Sequence, residues 1–178
     1  NLNAQSYFPE RESKANKVIP AIQLKAYSIP VSDVVLLKSP FLHARSMDSS
    51  YLLLLNPNKL LYRFHKNAGL PVKDSVYGGW ESDGLSGHTL GHYLSATSLM
   101  YSSTGNDVFK NRIDYIVSEL SKCQDARKTG YLGAIPNEDS IFAQVSRGQI
   151  RSSGFDLNGG WSPWYTVHKV MAGLVDAY

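Results

Sequence analysis

An all-α fold of antiparallel helical hairpins is what this 178-residue sequence predicts. Three observations predict it. Ser39-Pro40 and Asn56-Pro57 each set a capping side chain before a proline at the first helical position, where the missing N–H costs nothing. Phe109, Ile113, Ile116, Val117, Leu120 and Cys123 recur at helical spacing and make one apolar face. Gly105-Asn106 then joins two periodic stretches by a turn so short that the helices on either side must lie antiparallel.

Residues 1–30 form a polar lead-in of mixed charge, interrupted by Pro9 and Pro20. Within and after it, Ile22–Tyr27 alternates and Val34–Leu37 is apolar and branched, which predicts one or two strands or an extended segment draped on the domain. The domain proper covers residues 31–178. Its first helix follows Ser39 and runs to about Leu54; the second follows Asn56 and ends near Gly69, a good left-handed C-terminal residue. Residues 70–85 are a loop rich in Gly, Pro and Asp. A third helix starts at Ser86 or Gly87 and ends at Gly105; a fourth, capped by Asn106, runs to Gly130. Residues 131–162 are a long loop with a short helix near Ser140–Val145. The last helix starts near Pro163, with Val167, Val170, Met171, Leu174 and Val175 at helical spacing. No C-capping glycine or proline follows that stripe, so the expectation is an N-terminal piece of a longer protein, with the rest of its own helical array as partner.

Composition narrows the function. A net charge of +3 with scattered Lys and Arg gives no basic patch for nucleic acid. The longest apolar run, Tyr51–Leu55, is far too short for a membrane span. One cysteine, Cys123, excludes an internal disulfide and a multi-cysteine metal site within the chain; on its helical stripe it reads as a buried thiol. Eleven tyrosines and three tryptophans, the latter in Gly-rich or Pro-adjacent segments, point to a polar ring ligand such as a sugar. Asn1–Gln5 is compatible with the tail of a cleaved export signal, so the expected location is periplasmic or extracellular.

The alternation of tight turns and long loops places the site. Three Gly-rich aromatic segments gather at one end of the array: Tyr77–Glu81, Gly130-Tyr-Leu-Gly133 and Gly159-Gly-Trp-Ser-Pro-Trp-Tyr165. Ligand sites on α/α barrels are built this way, on loops at one mouth of a rigid scaffold. The first segment runs straight into a helix bearing His88 and His92, four residues apart and so on one face.

Several of these residues have competing roles. His88 and His92 could share a metal ion, cap or pack the helix, or contact sugar hydroxyls with the one donor and one acceptor of a neutral imidazole. Trp80 is either a stacking platform or a plug between helix ends. Glu81 either orients a hydroxyl or favours the positive N-terminus of the following helix. His168 is either a core histidine or a contact at the mouth, and Trp161 a rim aromatic. Tyr131 reads as a loop anchor and Lys169 as a solvated or ion-paired side chain.

The chain resembles the β-L-arabinofuranosidase-like glycoside hydrolases of family 127 and the related family 146. The resemblance runs from about Val31 to Tyr178 and rests on Ser39-Pro-Phe41, Gly78-Gly-Trp-Glu81, Gly87-His-Thr-Leu-Gly-His-Tyr-Leu-Ser-Ala96, Gly130-Tyr-Leu-Gly133 and Pro163-Trp-Tyr-Thr-Val-His-Lys169. It implies the N-terminal portion of an (α/α)6 barrel and retaining hydrolysis of terminal β-L-arabinofuranosyl residues of plant-type glycans. It also implies a zinc-bound cysteine thiolate as nucleophile and a glutamate acid/base. No motif for those groups occurs in this chain, which is therefore expected to be inactive alone and to bind no zinc. By resemblance its share of the site is a substrate wall: Trp80, His88, Trp164, Tyr165 and His168, with Glu81, His92 and Trp161 contributing less. Other α/α-barrel enzymes, glucuronyl hydrolases or lyases, would need a uronate-binding arginine, for which Arg147 and Arg151 are available. A non-catalytic sugar-binding or scaffold protein is the other alternative.

Overall fold

The computed structural model describes residues 29–178, with residues 21, 22 and 26. The lead-in and the alternating run Ile22–Tyr27 lie almost wholly outside the described residues. Val34–Leu37 is not a strand. A 3₁₀ turn at Val31–Asp33 packs on the third long helix, and the residues after it form no ladder, leaving Val35 and Leu37 exposed.

The helices begin where the caps predict. In α1 (Pro40–Leu54) the Ser39 hydroxyl accepts from the Leu42 N–H at 3.3 Å, and in α2 (Pro57–Asn67) Asn56 Oδ1 accepts from Asn58 N–H at 2.9 Å. Two bonds close α2: Leu70 N–H to His65 C=O and Gly69 N–H to Lys66 C=O. That reciprocal pair needs a left-handed residue, and Gly69 has φ 69°. The segment read as one loop over residues 70–85 contains a single helical turn, α3 (Trp80–Asp83). α4 (His88–Thr104) and α5 (Asp107–Arg127) form the hairpin through Gly105, and α5 ends at a left-handed Lys128, two residues short of Gly130. α6 (Glu138–Ser146) precedes a meander of two-residue strands, β1 (Ser152–Ser153), β2 (Asp156–Leu157) and β3 (Gly160–Trp161), paired antiparallel in that order. α7 (Pro163–Ala177) completes the array.

α4 and α7 make the most extensive helix pair and run parallel, since Gly91 meets Lys169 while Ser98 and Tyr101 lie beside Asp176 and Ala177. Two glycines permit the approach. A Cβ on Gly91 would collide with the Lys169 carbonyl, and one on Gly173 would sit 2.9 Å from Leu94 Cβ. α5 packs on the other side of α4 and against α2, burying Leu61, Phe64, Leu94, Phe109, Ile116 and Leu120. Each such side chain contributes roughly 1.5–3 kcal/mol by leaving water. Arg112 of α5 binds the exposed carbonyl end of α1, donating to Leu52, Leu53 and Leu55 and to the Tyr93 hydroxyl. On α7 only part of the predicted stripe is covered: Val170 is buried, whereas Met171 and Val175 are exposed. No described helix is long and apolar enough to cross a membrane.

This packing brings the ends of α2 and α5 and the starts of α4 and α7 to one mouth. Phe64 and Ala134 lie against Gly87, and Asn67 and Arg127 both reach Glu138.

Candidate functional site

The route to the mouth is strapped down. Lys73 pairs with Glu119 at 2.8 Å, Asn56 Nδ2 donates to Asp74 at 2.7 Å, and the Tyr77 hydroxyl accepts from Asn56 N–H at 2.8 Å. The chain then turns through Gly79, at φ 64° and ψ −138°, a conformation closed to side chains with a Cβ. The turn drives Glu81 inward and leaves Trp80 61% exposed.

Glu81 is committed internally. Its two carboxylate oxygens accept from Gly87 N–H at 3.3 Å and Thr89 N–H at 3.2 Å, so it caps α4. Of the two roles open to it in the sequence, the geometry shows the helix-terminus one. Gly87 has no side chain with which to cap α4, and a remote carboxylate substitutes for it.

The first turns of α4 present His88 to three rings: Trp80 at 5.8 Å, Tyr165 at 6.0 Å and His92 at 5.4 Å between centroids. Trp161, carried by β3, meets Trp80 edge-on at 6.1 Å. Five of the residues singled out in the sequence thus form one aromatic–imidazole cluster. Trp164 and His168 stand outside it. Successive side chains on a helix point about 100° apart, so a Tyr165 turned toward α4 sends Trp164 elsewhere. Trp164 lies 6.5 Å from Phe142 of α6, which itself meets Tyr131 at 5.4 Å. His168, four residues on from Trp164, is exposed on α7.

The electrostatics favour the neutral form of both imidazoles. Burial lowers the His88 pKa below the ordinary 6.5, Lys169 adds to the lowering and Glu81 opposes it. Burial, Lys169 and His88 lower that of His92. A neutral imidazole offers one donor and one acceptor. The buried Nδ1 of His88 has no partner among the described residues. Lys169, read as a solvated or ion-paired residue, lies over the Tyr165 ring with Nζ 5.2 Å from its centroid. Between Trp161 and Pro163, Ser162 holds a left-handed φ of 44°, a strained conformation for a residue before proline, secured by its N–H bond to Phe155 C=O at 2.8 Å.

The far wall is equally fixed. Glu138 is buried and accepts from Asn67 at 2.9 Å, Arg127 at 2.6 Å, the Tyr131 hydroxyl at 3.2 Å and the Ile135 N–H at 3.2 Å. Burial raises its pKa against those bonds. Gly133 fits beneath, where a Cβ would run into Glu138 and Tyr131. Tyr131 is thus the loop anchor its glycine frame predicts. Phe142 escaped the sequence reading because its period is that of an ordinary amphipathic helix. Arg151 donates to Gln144 at 2.6 Å and belongs to the meander, outside the imidazole cluster.

The zinc–thiolate centre implied by the resemblance does not fit these residues. Among the described residues no three His, Cys, Asp or Glu side chains gather as a metal site. Cys123 is buried in the α5 core, where burial pushes its thiol up to about 11, the opposite of an activated thiolate.

Residues 33–178 match the family model described as beta-L-arabinofuranosidase, GH127 catalytic domain. A comparison with curated proteins finds no match.

Proposed function

This chain belongs to the GH127 β-L-arabinofuranosidase catalytic-domain family, a family of glycoside hydrolases acting on carbohydrate, and from that premise we propose that its aromatic–imidazole cluster is the wall that holds a terminal β-L-arabinofuranosyl residue. The observation that carries the reading is His88: an imidazole with an unpartnered buried Nδ1, ringed by Trp80, His92 and Tyr165. A furanose has C–H faces that stack on aromatic rings and hydroxyls that need donors and acceptors at the rim. Trp80 and Tyr165 are exposed aromatic side chains beside His88, and His88 and His92 have pKa values lowered toward the neutral form. Glu81 contributes indirectly, by fixing the start of the helix that carries both imidazoles.

In this reading the 178 residues bind and orient substrate. We assign no nucleophile among them, because the one thiol is buried and held protonated, and the chain alone binds the sugar without hydrolysing it. Retention and a thiolate nucleophile remain what the resemblance implies for the complete reaction.

The test is titration of the chain with methyl β-L-arabinofuranoside, followed by tryptophan fluorescence and calorimetry. His88→Ala should weaken binding at least about tenfold, the worth of one or two hydrogen bonds, with circular dichroism unchanged. Equal affinity of wild type and His88→Ala would sink the assignment.

A further inference from the structure

Lys169 is a basic side chain at the mouth to which the sugar wall gives no role. It lies four residues after Tyr165, on the same face of α7, and is half-buried. Helical side chains lean toward the N-terminus of their helix, so the lysine reaches back along α7 toward the mouth. There its Nζ stands over the Tyr165 ring, 5.2 Å from the centroid, within the range of a cation–π contact. The backbone beneath it is fixed. The Lys169 carbonyl lies where a Cβ on Gly91 would have to go, so α7 rests directly on α4 at this residue. Gly91 itself falls between His88 and His92 in the chain.

Tyr165 thus has two polar neighbours: the lysine, and His88 at 6.0 Å with ring planes 33° apart. The charged and titratable groups facing the two imidazoles are Glu81 of α3, Lys169 of α7, the Tyr165 phenol and each other's rings. Glu81 spends both oxygens on N–H groups at the start of α4. Among the described residues Lys169 joins no salt bridge, so its charge is not spent elsewhere. Resting on the assignment of the His88 cluster to the sugar, we propose that Lys169 is a positioning residue for that cluster: its ammonium fixes the Tyr165 ring beside His88 and sets a positive charge against both imidazoles. A further cation there is disfavoured, so each imidazole keeps an acceptor as well as a donor, which sugar hydroxyls need. Burial already favours that form, and Lys169 adds to it at both histidines. In this role the lysine touches no sugar; it acts through Tyr165, His88 and His92.

The experiment has two readouts, on wild type, Lys169→Met, Lys169→Gln and Lys169→Arg. NMR follows the His88 and His92 ring resonances against pH without sugar. Calorimetry follows the affinity for methyl β-L-arabinofuranoside from neutral pH to about pH 5. Either uncharged variant should raise both imidazole midpoints by about half a pH unit, the size expected of a neighbouring charge in partly wet surroundings. The acid loss of affinity should move up in pH by the same amount. At neutral pH these variants should also bind about threefold more weakly, as the Tyr165 ring loses its cation–π contact. Lys169→Arg keeps the charge and the ring contact and should restore both readouts. Unchanged imidazole midpoints in the uncharged variants overturn the proposal. So does an affinity that keeps the wild-type pH profile, or a loss that arginine does not restore; each marks Lys169 as packing alone and leaves the sugar wall standing. If wild type binds no sugar, the wall assignment fails first and the role of Lys169 falls with it.

Discussion

His65 and His88 are both imidazoles whose pKa burial lowers, and in both Nδ1 is buried without a partner among the described residues. Their surroundings differ. Nε2 of His65 lies 2.9 Å from Glu119, and that carboxylate also takes Lys73 at 2.8 Å and Lys122 at 2.7 Å. Burial would raise the Glu119 carboxyl, but the bonds from Lys122 and Lys73 outweigh it and hold it at about 2. His88 is surrounded by rings and opens to the mouth. The first region is an ion-paired network within the helix interface that engages Nε2 of His65 and ties α2, α5 and the loop after α2 together. The second has aromatic surface and hydrogen-bonding capacity left over. Burial of a histidine therefore says little about function; what the other ring nitrogen and the ring faces meet says more.

The comparison predicts that damage to the helix interface costs stability, and damage at the mouth costs binding. The largest effect is expected at the α4–α7 crossing. Gly91→Ala drives a methyl into the Lys169 backbone, which cannot rotate away. It should destabilise by about 3 kcal/mol or more in urea denaturation; a change near zero would mean the helices separate freely. Glu119→Ala comes next, at about 2–3 kcal/mol, because it strands His65 in the core while Lys73 and Lys122 return to water. Its sugar affinity should match wild type, and a parallel loss of affinity would blur the two regions.

Titration gives a finer test. The folded pKa values of His65 and His88 lie below the ordinary 6.5, so the unfolded chain takes up more protons as pH falls. Their contribution is intact above 6.5 and is lost as pH drops through it. Glu119 adds a second loss, from its ordinary 4.5 down toward about 2. Thermal melts should therefore fall in two stages on acidification, and Glu119→Ala should remove the lower one. A flat profile between pH 7 and 5 would contradict the burial of the imidazoles. The smallest stability effect belongs to His88→Ala, about 1 kcal/mol or less despite its loss of sugar affinity.

Much of this was legible in the chain because local chemistry sets it. Ser39, Asn56 and Asn106 cap their helices through side-chain oxygens that need only the next two or three residues. Gly69 and Gly105 mark left-handed ends because other residues pay for that conformation. The candidate cluster was legible in part for the same reason: Trp80, His88 and His92 sit within thirteen residues of one another. The four-residue α3 and the two-residue strands were not, since neither is long enough to show a period.

The sequence by itself determined where each long helix starts, where α2 and α4 stop, which face of α5 is apolar, and that aromatic loops collect at one end. Those properties follow from caps, periodicity and turn length, which act over a few residues. Only the tertiary structure decided the rest. It spent Glu81 on the α4 N-terminus, gave Tyr165 to His88 and Trp164 to Phe142, and tied Glu119 to a histidine fifty-four residues earlier. These contacts join different elements and depend on how the helices pack; the α4–α7 approach behind the Tyr165–His88 contact is set by two glycines whose role appears only when the helices meet.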